Sequence, residues 1–292
     1  FWKGDNNTNP LQIDSPFKSE YQTGKFTNSE TIFQASKCQL WDSGTNNDTT
    51  EEYRKQFFSG IVNKDGGEAL SYVKGLKINF NYGFKGKRFL QDYNPPENWI
   101  NYLKQRSGVW SDEALDHVPK VLYEIYHNRR DLRDKVILPS IIAMWIALYY
   151  KFLKNNENSS FKSSKYFDPP VTLKDHLLGT SDSLLLEHNE KSRDDKWSDN
   201  HNGSGLNLLG ELLMILRICI LSGERDIQNL NKEFILSNLP KFTKNILSQD
   251  VTPGPYKTIV DAKRSEWEKP GFANEAKGGG ERLEDSEMYS FF

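Results

Sequence analysis

The longest uncharged apolar stretch of the chain, Val136–Tyr150, sets the first constraint on the fold. A helix that is hydrophobic all round has no side for water, so it has to be covered. The stretch contains Pro139 and is shorter than the ~20 residues a membrane span needs, so it predicts a core helix over about Lys135–Leu153. Leu206–Leu221 predicts a second buried helix. The rest of the chain is polar. Apolar residues make up 36% of the 292, against ~45–50% in ordinary globular chains. The 7 Trp argue against wholesale disorder. The combination predicts a folded domain carrying long polar insertions. A net charge of -2 excludes a uniformly basic nucleic-acid binder and leaves room for a local basic site. Two cysteines, Cys38 and Cys219, are too few for a disulfide framework and read as buried reduced thiols. The low cysteine count and the absence of a signal-peptide pattern set the expected location as the cytosol or the nucleus.

Patterning predicts further elements. Thr27-Asn28-Ser29 reads as a capped start of a helix running to about Trp41. Glu51–Val62 puts Tyr53, Phe57, Phe58 and Ile61 on one side of a second helix. Leu70–Phe80 fits a helix or a strand. Pro95-Pro96 opens a helix to about Gln105, and Ser111 caps another to about His127. Leu184–Glu187 reads as a short strand, Asn189–Gly205 as a long polar loop, and Asp226–Ser248 as one or two short helices. From Thr252 the Pro, Gly and charge content predicts a tail that does not pack as a domain.

Two segments carry chemistry. In FTNSETIFQASKCQLWD, Glu30, Gln34 and Lys37 fall at i, i+4 and i+7 and share one helix face, while Ile32, Phe33, Ser36 and Leu40 face the core. Glu30 stands in the first turn, where the helix dipole favours its ionised form. The second segment, 177–217, joins an acidic loop, Asp194-Asp195-Lys196-Trp197, to a Gly-rich lead into the buried helix. A turn there sets the Asp194 carboxylate beside the Trp197 indole, suited to holding a flat polar base against an aromatic face. Glu187 and His188, at the end of the predicted strand, are further candidates.

Together the segments resemble the NADAR superfamily, also called YbiA-like. The resemblance rests on TNSETIFQASK, and then on LLGT, LLLEHN, DDKW and GLNLLGELLMILR in that order. It takes in Pro16-Phe17, Gly24 and Phe26 before the first helix, and Ala147-Leu148 with Lys151-Phe152 on the hydrophobic helix. It covers about Phe1–Leu221. The family consists of N-glycosidases that cleave a C–N bond to ribose. The resemblance therefore implies a predominantly helical α+β fold: one domain over residues 1–248, with small β elements and insertions at 43–68, 79–134 and 154–172. A polar tail, 249–292, follows. It implies Glu30 and Asp194 as the catalytic pair. Lys37, Trp197, Gln34, Glu187 and Asn207 are implied as substrate-binding residues, with no metal and no cofactor.

Breaking a ribosyl C–N bond builds positive charge at the anomeric carbon. One carboxylate stabilises that charge or activates water, and a second group assists the leaving nitrogen. Glu30 is assigned the general acid/base role and Asp194 the charge-stabilising role, although the sequence also allows the reverse. Lys37 either binds a phosphate as a point charge or attacks a ring-opened sugar as an amine. Lys85-Gly86-Lys87-Arg88, among aromatics, would suit a diphosphate or a nucleic-acid backbone, or form a solvated hairpin. The expected substrate is an ADP-ribosylated guanine nucleotide or nucleic acid. Its rivals are hydrolysis of a phosphoribosyl-amine intermediate of riboflavin synthesis, and a non-catalytic ADP-ribose-binding module. No membrane partner is expected.

Overall fold

Helix α1 (Ser29–Ala35) begins where the sequence predicts, because the extended Asn28 accepts the Thr31 N–H on its side-chain oxygen at 2.8 Å. The structure, a computed structural model, describes residues 13–21, 24–37, 51–75, 98–127, 138–154, 172–188, 194–248, 254–267 and 289–291. Leu40, Cys38, Lys85, Gly86, Lys87 and Arg88 lie outside them, as do Pro95 and Pro96. The described residues up to Lys154 form one compact unit, and those from Thr172 onward form a second.

In the first unit, α1 packs on α3 (Gly66–Gly75) and on α7 (Leu138–Tyr149). The ambiguity over Leu70–Phe80 resolves to helix as far as Gly75, and 76–80 lie outside the described residues. Asp65 Oδ1 accepts the Glu68 N–H at 2.8 Å and Glu68 Oε2 accepts the Asp65 N–H at 3.1 Å, a capping box that starts α3 before the ambiguous run begins. In α2 (Glu51–Ile61), Phe57, Phe58 and Ile61 are buried together; the Tyr53 side chain is outside what is described. Phe17 is a hub of this core, stacked on Trp110 at 4.9 Å and edge-on to Phe58 at 4.8 Å. Helix α4 spans Trp99–Arg106.

The helix expected from Ser111 to His127 is two helices. Ser111 caps α5 (Asp112–Asp116), and Pro119 stops the run and stands at the start of α6 (Lys120–Tyr126). The proline has no N–H to continue α5, and its ring disfavours helical backbone before it. The carbonyls freed at this break receive the Trp145 indole N–H (His117, 2.8 Å) and that of Trp99 (Val118, 2.9 Å). Every residue of α7 is buried, which is why its sequence shows no polar face. The helix closes in one π turn, Tyr150–Lys154, that carries the buried Lys151.

In the second unit, α8 (Leu173–Gly179) leads to strand β1 (Leu184–Leu186), and both pack on α9 (Leu208–Leu221). A 3-10 turn (Glu224–Asn229), α10 (Lys232–Asn238) and α11 (Lys241–Ser248) follow. Arg217 of α9 is 1% exposed, and burial draws its guanidinium down to about 10. It donates to Thr180 Oγ1 at 2.6 Å and to the Ser183 carbonyl at 2.9 Å, tying α9 to the turn before β1. Arg217→Ala would strand the Ser183 carbonyl and open a cavity, so it should cost about 2 kcal/mol. Arg217→Met fills the space and removes a desolvated charge, so it should cost less than half of that. Urea unfolding of the two variants checks the order.

The expected tail is anchored at its start. Tyr256 is fully buried and its hydroxyl donates to Glu211 Oε1 on α9 at 3.3 Å, and α12 (Lys257–Trp267) follows it. Tyr256→Phe should destabilise this unit by about 1 kcal/mol, read as a lower thermal midpoint. Strand β2 (Tyr289–Phe291) pairs in parallel with β1, Leu184 opposite Tyr289. The fold is thus predominantly helical, with one two-stranded sheet among the described residues. No described helix is long and apolar enough to cross a membrane. Cys219 is buried and free, its thiol pushed up to about 12 by burial, so it stays protonated.

Candidate functional site

Helix α1 ends at Ala35 rather than near Trp41, so Lys37 stands in the turn just past its end, yet the three expected polar residues are linked. The Gln34 amide nitrogen donates to Glu30 Oε1, and the Lys37 ammonium donates to Gln34 Oε1 at 2.7 Å. Lys37 Nζ also lies 4.7 Å from the centre of the Phe33 ring. The middle member is 2% exposed, so this is not a solvated helix face. Glu30 and Gln34 meet because i and i+4 stack on a helix, and the turn that follows α1 brings Lys37 to Gln34. The stem of Glu30 is held from the other side. A Cβ at Gly66, the first residue of α3, would lie 2.9 Å from its Cβ and Cγ. Ile32, Phe33 and Ser36 are buried as expected.

The second constellation is built on the start of α9. Leu208 and Leu209 have no side-chain cap for their N–H groups. They donate instead to the carbonyls of Lys196 and Trp197, at 3.0 and 3.2 Å. Leu206 N–H and Asn207 N–H reach Asp195 and Ser198 in the same way, at 3.0 Å each. The helix start therefore fixes the loop that holds Asp194 and Trp197. Asp194 Oδ1 accepts the N–H groups of Lys196 and Trp197, each at 3.0 Å, which sets the carboxylate and the indole at the two ends of one turn. Ser198 Oγ donates to the Asp194 carbonyl at 2.7 Å and tightens that turn.

Asn207 is placed differently from the expected substrate contact. It is fully buried in a left-handed conformation (φ 51°). Its side-chain oxygen accepts the Glu187 N–H and its nitrogen donates to the Leu185 carbonyl, both at 2.9 Å. It locks β1 to α9 and so fixes Glu187, which is half-buried at the strand end. Three of the four non-glycine residues with positive φ among the described residues, Asn200, His201 and Asn207, lie in this loop. Each such position costs about 1–3 kcal/mol and persists only where its surroundings fix it.

Sequence reasoning missed Asp199. Its fully buried carboxylate lies 2.8 Å from His188 Nδ1. A carboxylate among loop residues carries no local pattern of its own. It also missed the burial of Lys151, which a basic residue on an apolar helix could have signalled. Glu30, Gln34 and Lys37 thus come together in the first unit, and Asp194, Trp197, Glu187 and Asn207 in the second. No group of His, Cys, Asp and Glu among the described residues is arranged to hold a metal ion. In comparison with known proteins, the chain matches no family model, no curated protein and no solved structure.

Proposed function

We propose that the protein is an N-glycosidase of the NADAR type that hydrolyses a ribosyl C–N bond and releases ADP-ribose from a modified guanine base. The observation that supports this reading is the hydrogen-bonded chain Glu30–Gln34–Lys37, which links a carboxylate of α1 through Gln34 to an ammonium in the turn just past the helix end. A glycosidase acting on an anionic nucleotide needs both: an acid/base at the scissile nitrogen and a cation for phosphate.

In this reading Glu30 protonates the departing nitrogen. Water adds its oxygen to the anomeric carbon as the C–N bond breaks, the bond's electron pair stays on the nitrogen, and the proton the water gives up passes to solvent while Glu30 is reprotonated from it. Asp194, oriented by two backbone N–H groups, is the carboxylate this reading assigns to the charge that develops on the sugar. Trp197 supplies the face on which the base or sugar stacks. Lys37 stabilises a phosphate as a point charge.

The test is to incubate the full chain with a guanine-ADP-ribosylated oligonucleotide and weigh the products by mass spectrometry. Catalytic release of free ADP-ribose with an unmodified oligonucleotide is the expected result. Tight ADP-ribose binding without release would replace the enzyme by a binding module. Neither release nor binding would move the substrate to phosphoribosyl-amine metabolites.

A further inference from the structure

Strand β1 has two edges, and they are held by different means. On one edge the Leu185 carbonyl accepts from Asn207 Nδ2 at 2.9 Å, and the Leu185 N–H donates to Met214 Sδ at 3.5 Å. The Glu187 N–H, just past the strand, donates to Asn207 Oδ1 at 2.9 Å. Backbone groups alternate along a strand, so those of Leu184 and Leu186 face the opposite edge. That edge is where β2 pairs, with Leu185 opposite Ser290. In a parallel pair this register turns both the N–H and the carbonyl of Ser290 toward β1, between Leu184 and Leu186. Side chains of α9 and its lead-in therefore anchor one edge, and the main chain of β2 closes the other. The α9 bonds do not pass through β2, so they persist when β2 leaves. Strand β2 is three residues long, and the sheet has two strands among the described residues. A parallel pair of that size adds little stability of its own.

We propose that this outer edge of β1 is a docking site for an extended peptide, with Tyr289–Phe291 as its exchangeable occupant within the chain. Recognition runs through the main chain. The guest residue opposite Leu185 donates its N–H to the Leu184 carbonyl and accepts the Leu186 N–H. A strand edge left open is a template for pairing with other chains, so the chain's own segment covers it until a competing strand takes its place. Because β1 leads directly into Glu187, the occupant also sets how firmly that strand end is held. The docking site goes beyond the glycosidase reading and stands within the second unit alone.

The experiment compares the full chain with its Ser290→Pro variant and reads no activity. Proline has no N–H to give the Leu184 carbonyl, so β2 of the variant cannot close the edge. Amide exchange is followed residue by residue, and binding of a synthetic peptide of residues 286–292 is followed by calorimetry. Exchange at Leu186 should be roughly tenfold faster in the variant, while Leu185 and Glu187, held from the other edge, stay within about twofold of wild type. The peptide should bind the variant roughly tenfold or more tightly than wild type, whose edge is already filled, and should restore the protection of Leu186. The same peptide methylated on the backbone nitrogen that matches Ser290 should not bind. Unchanged exchange at Leu186 in the variant overturns the proposal. So does a peptide that fails to bind the variant, binds both proteins equally, or binds as well when methylated. A variant that unfolds altogether would make β2 a core strand rather than a guest and overturns it too.

Discussion

Glu30→Gln is expected to lower release of ADP-ribose by roughly 10³–10⁴-fold while leaving the protein folded. The substitution preserves shape. The amide oxygen of a glutamine at 30 still accepts from Gln34, and Lys37 still bonds Gln34 Oε1, so the chain on α1 survives without its negative charge. The stem contact with Gly66 is unchanged as well. What the fold loses is the favourable placement of a carboxylate in a helix first turn, about 0.3–1 kcal/mol. What the reaction loses is a group able to give and take a proton, equivalent to about 4–5 kcal/mol of barrier. The two effects differ enough to be separated in one sample. Single-turnover release should collapse while the thermal midpoint moves by a few degrees at most. A variant that keeps more than a tenth of wild-type release would remove Glu30 from the chemistry.

Gly210→Ala should be the most damaging conservative change in the second unit, at about 3 kcal/mol, the upper end of what overpacking costs. A Cβ at 210 would collide with the Leu185 carbonyl oxygen and lie 2.6 Å from Asn207 Nδ2. Neither obstacle is the free end of a flexible side chain. The carbonyl belongs to β1, and the amide is bonded to that carbonyl and to the Glu187 N–H. Relief therefore requires β1 and α9 to separate, which breaks both bonds and moves Glu187. The urea midpoint of the variant should fall, and amide exchange at Leu185 and Glu187 should accelerate more than at α1. Exchange unchanged at those two amides would show that the interface gives way without moving the strand.

Much of the helical framework was legible because helices declare themselves locally. The caps at Asn28 and Ser111 and the burial of α7 and α9 follow from residues within a few positions of one another. The same holds for Glu30 and Gln34, a matter of 3.6-residue spacing, whereas Lys37 reaches Gln34 from the turn past the end of α1. What escaped the sequence is nonlocal. The break at Pro119 lay inside a run whose apolar spacing continued across it. The seat of Tyr256 against Glu211 joins residues far apart in the chain, so the composition of the region around it pointed only to a tail. Asn207 stands in a motif that suggests ligand contact, yet its left-handed backbone turns the side chain onto β1. Asp199 gains its meaning from His188 across a loop that no periodicity describes.

The way α9 begins bears on how an anion would be gripped. A Gly-rich approach to a buried helix invites comparison with loops that cradle phosphates on exposed amides. Here the amides of Leu208 and Leu209 already serve the carbonyls of Lys196 and Trp197. A diphosphate would have to be met by charged side chains, such as the ammonium of Lys37, rather than by a ring of amides. Its affinity would then decline steeply with ionic strength, as for a ligand held by screened surface charge.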